Sequence, residues 1–194
     1  IITKYQLNYL GSLQKPLCLQ AIERIFTRLT TNKYSKIHNH APLKIYEIIR
    51  AINNSDIIVH YQPQVNIYSK KVVGVEALCR LLHPSKGIIS PDLFIDKAEN
   101  SDLIYHLTMK VLEISFIDLN HWLSKDIKVI VSVNISPAIF NYNNFYNDLI
   151  QLCQQYKIPH ELICLEITEG ILASNEVLEL EVISRLAIQG FSLS

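Results

Sequence analysis

Residues 73–84 read VGVEALCRLLHP. This stretch begins as an apolar, β-branched run, which is typical of a buried strand. Yet Glu76 lies within the run, and Arg80 follows four residues later. A buried carboxylate costs several kcal/mol unless it is paired or bound to something. The stretch therefore predicts a strand whose carboxylate holds a ligand.

Strands and helices alternate on both sides of this stretch, from Asp56 onward. The predicted strands are Ile57–Val65, Val72–Leu78, Lys128–Ile135 and Leu162–Thr168. The predicted helices are Pro91–Ser101, Asp102–Ser124, Tyr142–Tyr156 and Ser174–Gln189. This alternation predicts an α/β fold with a mostly parallel sheet. The closing residues 190–194, GFSLS, look like the opening of another strand, so we expect the sequence to stop within a domain.

The first part of the chain has a different pattern. A short predicted strand runs into a turn at Lys15 and Pro16, because the residue before a proline prefers an extended backbone. A helix follows, with apolar residues at helical spacing up to Leu29. Residues 30–42 are polar and read as a linker, and a further helix is predicted from Pro42 to Ile52.

Composition excludes several classes of function. The chain has 194 residues, with 18 basic and 18 acidic side chains, so it lacks the excess of positive charge that is typical of proteins that bind duplex nucleic acid. No apolar run approaches the roughly 20 residues that span a bilayer, and the first residues lack a signal-peptide layout. The four cysteines form no C-x-x-C pair. We therefore expect a reduced, cytoplasmic protein with no membrane partner.

Polar residues stand at the carboxyl ends of three predicted strands: Glu76, Asn134 and Glu166. Taken singly, each has a commoner structural explanation, such as a solvated surface carboxylate or a turn-forming asparagine. Taken together they favour a site, because the carboxyl ends of barrel strands build the active sites of (β/α) barrels. Oxygen ligands suit hard cations, so the pattern predicts Mg²⁺ or Mn²⁺.

Five motifs in register carry a family resemblance: VHYQPQV, VGVEALCRLLHP, GIISPDLFIDKAEN, VSVNIS and LEITEG. From Asp56 to Ser194 the chain resembles the EAL domain. The resemblance implies a (β/α)8 TIM-type barrel, of which this sequence would encode roughly the N-terminal half. It also implies a phosphodiesterase that hydrolyses the bacterial second messenger cyclic di-GMP to linear pGpG.

The resemblance also implies roles for single residues. Glu76, Asn134 and Glu166 resemble the metal ligands of the family. Glu76 and Glu169 resemble its catalytic carboxylates, with Glu169 positioning a catalytic loop.

Three further residues resemble those that line the dinucleotide: Gln62, Leu78 and Arg80. A guanidinium suits a phosphate oxygen pair, so Arg80 is expected to contact phosphate. One departure is Leu81, where the family often has an aromatic residue.

The beginning of the chain resembles a second family, the receiver domains of response regulators. Its final strand is followed by a Lys-Pro pair, which Lys15 and Pro16 would supply, with the lysine contacting a phosphoryl group. The expected organisation is therefore residues 1–29 as the end of a receiver domain, 30–55 as a linker with a leading helix, and 56–194 as part of an EAL domain. A sensor kinase would be the partner of the receiver domain, and the parent protein would be a homodimer.

Two functions remain open at this point. In the EAL family the sequence continues to an Asp-Asp-Phe-Gly motif, a catalytic lysine, a further glutamate and a glutamine. Because these residues do not occur here, we expect the 194 residues alone not to hydrolyse cyclic di-GMP. The alternative to an enzyme is a non-catalytic EAL module that binds cyclic di-GMP as a sensor. Retention of Glu76, Asn134, Glu166 and Glu169 favours the enzyme.

Overall fold

A mixed β-sheet frames the part of the chain that the computed structural model describes, residues 42–167 and 177–194. Within those residues the strands are β1 (Ile57–Val65), β2 (Val72–His83), β3 (Gly87–Ile89), β4 (Ile130–Ile135), β5 (Ile163–Ile167) and β6 (Ser192–Leu193). Their order across the sheet is β1-β2-β4-β5-β6, with β3 paired to β2. The predicted α/β class is confirmed, and the sheet is open over the described residues.

The sheet changes from antiparallel to parallel at β2. Strands β1 and β2 form an antiparallel hairpin, and β3 also pairs antiparallel with β2. From β2 through β4 and β5 to β6 every pairing is parallel. The prediction of a mostly parallel sheet is therefore right only for this second half. The first half is antiparallel because the short turn at residues 66–71 returns the chain directly along β1.

Five helices flank the sheet in the described residues: α1 (Ile45–Asn53), α2 (Ile95–Glu99), α3 (Leu103–Leu123), α4 (Phe145–Tyr156) and α5 (Val177–Ile188). The predicted helix Pro91–Ser101 is wrong as a continuous element. It is a short 3-10 helix, Pro91–Leu93, followed by α2. The break falls at Phe94, which has a non-helical backbone and a side chain only 1% exposed. Burial of this ring thus overrides local helix propensity.

The two faces of the sheet differ in character. Residues of β4 and β5 at alternate positions are fully buried and form one apolar face: Val131, Val133, Ile163 and Leu165. Long helix α3 contributes a matching buried side to the same core, which includes Leu112, Phe116 and Leu119. Because strand side chains alternate, every second residue instead faces away from this core. The predicted site residues that lie in the described strands belong to that second set.

The structure corrects the position of Glu76 within its strand. The predicted strand ended at Leu78, which would place Glu76 near its carboxyl end. Strand β2 instead continues to His83, because its second half pairs with Ile57 of β1 and Ile89 of β3. Glu76 is therefore a mid-strand residue. Asn134 and Glu166 do lie next to last in β4 and β5, as predicted.

Two groups of predictions lie outside the described residues. The first is the receiver-like segment, with its strand, its helix and Lys15. The second is the segment 168–176, which contains Glu169. Among the described helices, none is both long and apolar enough to cross a membrane.

Candidate active site

A direct hydrogen bond joins two of the predicted ligands. The side-chain amide Nδ2 of Asn134 donates to Oε1 of Glu76 at 2.9 Å. The sheet makes this contact possible, because Glu76 lies opposite Ser132 in the parallel register and Asn134 is the next residue of β4 on the same face. The carboxylate thus has a neutral partner, and its negative charge remains available to a cation.

The register brings two further predicted residues to this pair. Glu166 lies directly opposite Asn134 across the β4–β5 pairing. Gln62 lies directly opposite Glu76 across the β1–β2 pairing. Side chains opposite each other in adjacent strands are neighbours on one face of a sheet. Two carboxylates and two amides therefore share one patch of the polar face.

The donors in this patch fit a hard divalent cation. Glu76, Asn134 and Glu166 offer oxygen atoms only, which is the preference of Mg²⁺ and Mn²⁺. The set contains two carboxylates and one amide. Residues 42–167 and 177–194 contain no group of three or more His, Cys, Asp or Glu side chains that could hold a metal ion. A site built here would therefore depend on the amide oxygen of Asn134 as well as on the carboxylates.

Arg80 lies further along β2 on the same face as Glu76. Its Nη1 donates to the backbone carbonyl oxygen of Cys79 at 2.7 Å, so the guanidinium is folded back against its own strand. Both Arg80 and Leu78 are half-buried. Arg80, which the sequence assigned to phosphate, therefore lies on the same face as the patch, and within residues 42–167 and 177–194 its hydrogen bond is to a backbone oxygen.

A cavity of about 530 Å³ opens beside the patch. Its lining is mostly apolar and lies between the core side of the sheet, at Ala77 and Val133, and helix α3, at Leu107, while Asn134 reaches its rim. This volume falls in the usual range for small-molecule sites. Sequence reasoning missed the cavity, although the quoted stretch GIISPDLFIDKAEN supplies Pro91, Ile95 and Glu99 to its wall.

A second group of polar residues lies on the same face of the sheet, two residues along the strands from the ligands. The sequence analysis did not predict this group. Gln64 donates from Nε2 to Oγ of Ser132 at 3.4 Å. Ser132 in turn lies opposite Cys164 across the β4–β5 pairing. Burial raises the pKa of the Cys164 thiol, and the Ser132 hydroxyl partly offsets this effect. The signal in the sequence was the period-two spacing of Gln62 and Gln64 in VHYQPQV.

The described thiols behave as the sequence indicated only in part. Cys79, Cys153 and Cys164 are free thiols. Cys153 is buried at 1% exposure, whereas Cys79 and Cys164 are half-buried. Cys79 and Cys164 lie in strand-like sequence, where a cysteine is expected to be a small buried hydrophobic residue, and both are less buried than that.

Fold and site together define an α/β protein with an all-oxygen patch on the open face of a mixed sheet. The family model described as "EAL domain" matches residues 46–194. The chain belongs to this family. The match begins within α1, so the leading helix is part of it.

Curated relatives support the same assignment. The chain is 34% identical over 119 residues to the probable cyclic di-GMP phosphodiesterase PdeB of Escherichia coli, covering 61% of this chain and 23% of that protein. It is 25% identical over 191 residues to the cyclic di-GMP phosphodiesterase RocR of Pseudomonas aeruginosa, covering 97% of this chain and 49% of that protein. The chain thus spans less than half of the length of these relatives.

Solved structures share the fold. The EAL enzyme Bd1971, in its cAMP- and cyclic di-GMP-bound form, is 29% identical with a TM-score of 0.70, covering 76% of this chain and 42% of that one. The PaMucR phosphodiesterase in complex with cyclic di-GMP is 25% identical with a TM-score of 0.72, covering 77% of this chain and 61% of that one.

Proposed function

We propose that the protein is a metal-dependent phosphodiesterase that hydrolyses cyclic di-GMP to linear pGpG. The observation that carries the proposal is the hydrogen bond between Asn134 and Glu76, with Glu166 opposite Asn134 in register. Membership of the EAL family and the names of the relatives PdeB and RocR support the choice of substrate.

Mg²⁺ or Mn²⁺ would be held by Glu76, Asn134 and Glu166. Such an ion neutralises phosphate charge and lowers the pKa of a bound water. The protein contributes fixed ligands: adjacent strands set their spacing, and the Asn134 amide holds the Glu76 carboxylate in one orientation. Glu169 remains a proposed catalytic residue that positions a loop.

The dinucleotide would lie across the polar face, against Gln62, Leu78 and Arg80. The Arg80 guanidinium can exchange its single backbone contact for a charge-assisted hydrogen bond to phosphate. These residues would bind and orient the substrate while the carboxylates face the reacting phosphate.

The proposed setting is a TIM-type barrel whose strands continue from β6, in a cytoplasmic, homodimeric response regulator. Residues 1–29 would be the end of a receiver domain, with Lys15 at its phosphoryl site and a sensor kinase as partner. The alignment with RocR supports homology upstream of the EAL match, because it covers 97% of this chain.

Turnover of cyclic di-GMP by the full-length natural protein tests the proposal. Chromatography should show linear pGpG with Mg²⁺ or Mn²⁺ and none with a chelator. Glu76→Ala should abolish turnover by removing a ligand, whereas the matched control Glu181→Ala, on the exposed side of α5, should leave it unchanged.

Two results would contradict the enzyme. One is the absence of linear pGpG from the wild-type protein with Mg²⁺ and with Mn²⁺; normal turnover by Glu76→Ala would instead exclude Glu76 as a ligand and leave the enzyme standing. The other is tight binding of cyclic di-GMP by calorimetry with no turnover in either metal, which would support the sensor.

A further inference from the structure

Gln64 crosses a neighbouring strand to reach its partner. It lies in β1 opposite Gly74 of β2, and Gly74 lies opposite Ile130 of β4. Its Nε2 nevertheless donates to Oγ of Ser132 in β4, at 3.4 Å. The side chain therefore spans β2 and links the first strand of the sheet to the third in spatial order.

Gly74 is what leaves room for this crossing. A Cβ atom at Gly74 would lie 2.7 Å from Oε1 of Gln64 and 3.0 Å from the backbone oxygen of Ile130. The first distance is shorter than real Cβ contacts allow, and the second is tight against immobile backbone. The glycine of VGVEAL is thus required for a close approach and not for an unusual backbone angle.

The crossing lies directly beneath the candidate ligands. Gly74, Ser132 and Cys164 each precede a ligand by two residues on the same strand and the same face, the ligands being Glu76, Asn134 and Glu166. We call Gln64, Ser132 and Cys164 the lower polar layer. Two residues along a strand correspond to about 6.6 Å, so this layer is the next one below the ligands.

We propose that Gln64 is a positioning residue for the candidate metal ligands, acting through Ser132. The inference rests on the proposed function. Ser132 is only 3% exposed, and a buried hydroxyl favours the arrangement in which its hydrogen bonds are made. Gln64 thereby fixes the spacing between β1 and β4 across β2. Backbone pairing of β2 with β4 brings Glu76 and Asn134 together, and the Gln64 contact adds a restraint on these strands close to the two ligands.

The test is Gln64→Leu in the full-length natural protein, because leucine keeps the bulk and removes the amide. Titration with Mn²⁺ should show binding about tenfold weaker than wild type, the lower end of what partners of metal ligands contribute. Gln151→Leu makes the same chemical change on the exposed side of α4 and should bind Mn²⁺ like wild type. Ser132→Ala removes the other partner of the contact, so its Mn²⁺ affinity should equal that of Gln64→Leu. If one of the two variants fails to fold, the other still tests the proposal.

A second readout needs no metal. The side-chain amide resonances of Asn134 report its hydrogen bond to Glu76, and they should shift in both Gln64→Leu and Ser132→Ala but not in Gln151→Leu.

The outcomes separate this inference from the proposed function. Wild-type Mn²⁺ affinity and unshifted Asn134 resonances in Gln64→Leu, with binding lost in Glu76→Ala, would overturn the role of Gln64 and leave the proposed function intact. If the wild-type protein bound no Mn²⁺, the proposed function would fail and the resonances alone would decide: a shift supports the positioning role, and no shift overturns it.

Discussion

At the scale of single residues, the pairing of Glu76 with a neutral amide is the central observation. A carboxylate beside a lysine or arginine would already have its charge balanced, whereas Asn134 orients Glu76 without neutralising it. Period-two alternation was enough to predict that both residues share a face. The hydrogen bond itself could not be predicted, because 58 residues separate the two and only the β2–β4 register brings them together.

Replacement of Asn134 by aspartate tests that pairing. In Asn134→Asp the new carboxylate faces Glu76 and the donor is lost; because the pair is exposed to solvent, we expect the metal-free protein to lose about 0.5–1.5 kcal/mol of unfolding free energy at neutral pH. Saturating Mn²⁺ should reduce this loss, since a cation compensates the added charge. Urea unfolding with and without Mn²⁺ measures both effects.

The control for this change is Asn143→Asp on the exposed surface before α4, which should cost little in either condition. Equal stability of Asn134→Asp and Asn143→Asp without metal would show that Asn134 does not hold Glu76.

Arg80 should act on the affinity for the dinucleotide and not on the affinity for metal. Arg80→Ala removes one charge-assisted contact, so we expect cyclic di-GMP to bind about 10- to 100-fold more weakly, with Mn²⁺ affinity unchanged. Calorimetry measures both. The affinity of Arg80→Lys for cyclic di-GMP should lie between those of wild type and Arg80→Ala, because lysine keeps the positive charge but lacks the planar guanidinium group. Unchanged dinucleotide affinity in Arg80→Ala would remove Arg80 from the substrate site.

At the scale of elements, a partly buried ion pair between Glu47 and Lys86 joins α1 to the turn that follows β2. Backbone N–H groups of Ser85 and Lys86 donate to Nδ1 of His83, each at 3.2 Å. The ring hydrogen of neutral His83 is therefore on Nε2, which donates to Oε1 of Glu47 at 3.1 Å. Nζ of Lys86 donates to the same oxygen at 3.0 Å. His83 of the quoted motif and Lys86 just after it thus connect the end of β2 to the leading helix.

Glu47 makes this connection dependent on pH. The backbone N–H of Lys44, followed by the Lys86 ammonium, lowers the pKa of Glu47 from 4.5 to about 2. A carboxyl whose pKa is lower in the folded state stabilises the fold above its unfolded pKa. That stabilisation is lost as the pH falls from about 4.5 through 2.

Glu47→Gln should therefore cost stability at pH 7, by at most about 3 kcal/mol, and the cost should shrink as the pH approaches 3. Urea unfolding at pH 7, 5 and 3 measures the difference from wild type. The exposed Glu181→Gln should show no such trend. A cost of Glu47→Gln that stayed constant with pH would mean that the charge of Glu47 does not support the connection.

The sequence predicted some elements better than others. Strand β1 was placed at its observed bounds, because alternating apolar residues and a turn mark it clearly. The second half of β2 and the short strand β3 were missed, since their pairing depends on contacts with β1 and on Gly87, whose backbone angle φ is +72°. Helix α2 was overextended because the burial of Phe94 is a tertiary effect.

At the scale of the whole molecule, the described sheet has two open edges. Strand β1 forms one edge and contains Pro63, a residue that central strands do not tolerate. Strand β6 forms the other, and in the described part of the chain it pairs only with β5. An unpaired strand edge is a template for pairing with another chain.

We therefore expect residues 1–194, produced by themselves, to self-associate. Light scattering after size exclusion should show mass rising with concentration and no single plateau, since edge pairing is open-ended. The full-length natural protein should give one defined mass under the same conditions. A stable monomer of 22.3 kDa across the whole concentration range would contradict the expectation.

The hairpin of β1 and β2 also sets the order in which the site residues come together during folding. Its two strands are joined by a short turn, so Gln62 and Glu76 can meet within the roughly 1–10 μs that a hairpin needs to close. Asn134 and Glu166 must arrive on strands that are distant in the chain, and non-local pairings form slowly. Gln62 and Glu76 are thus brought together before Asn134 and Glu166 reach them. Substitutions that delay the docking of β4 would lengthen the interval in which Glu76 stands without Asn134, even where the final structure is unchanged.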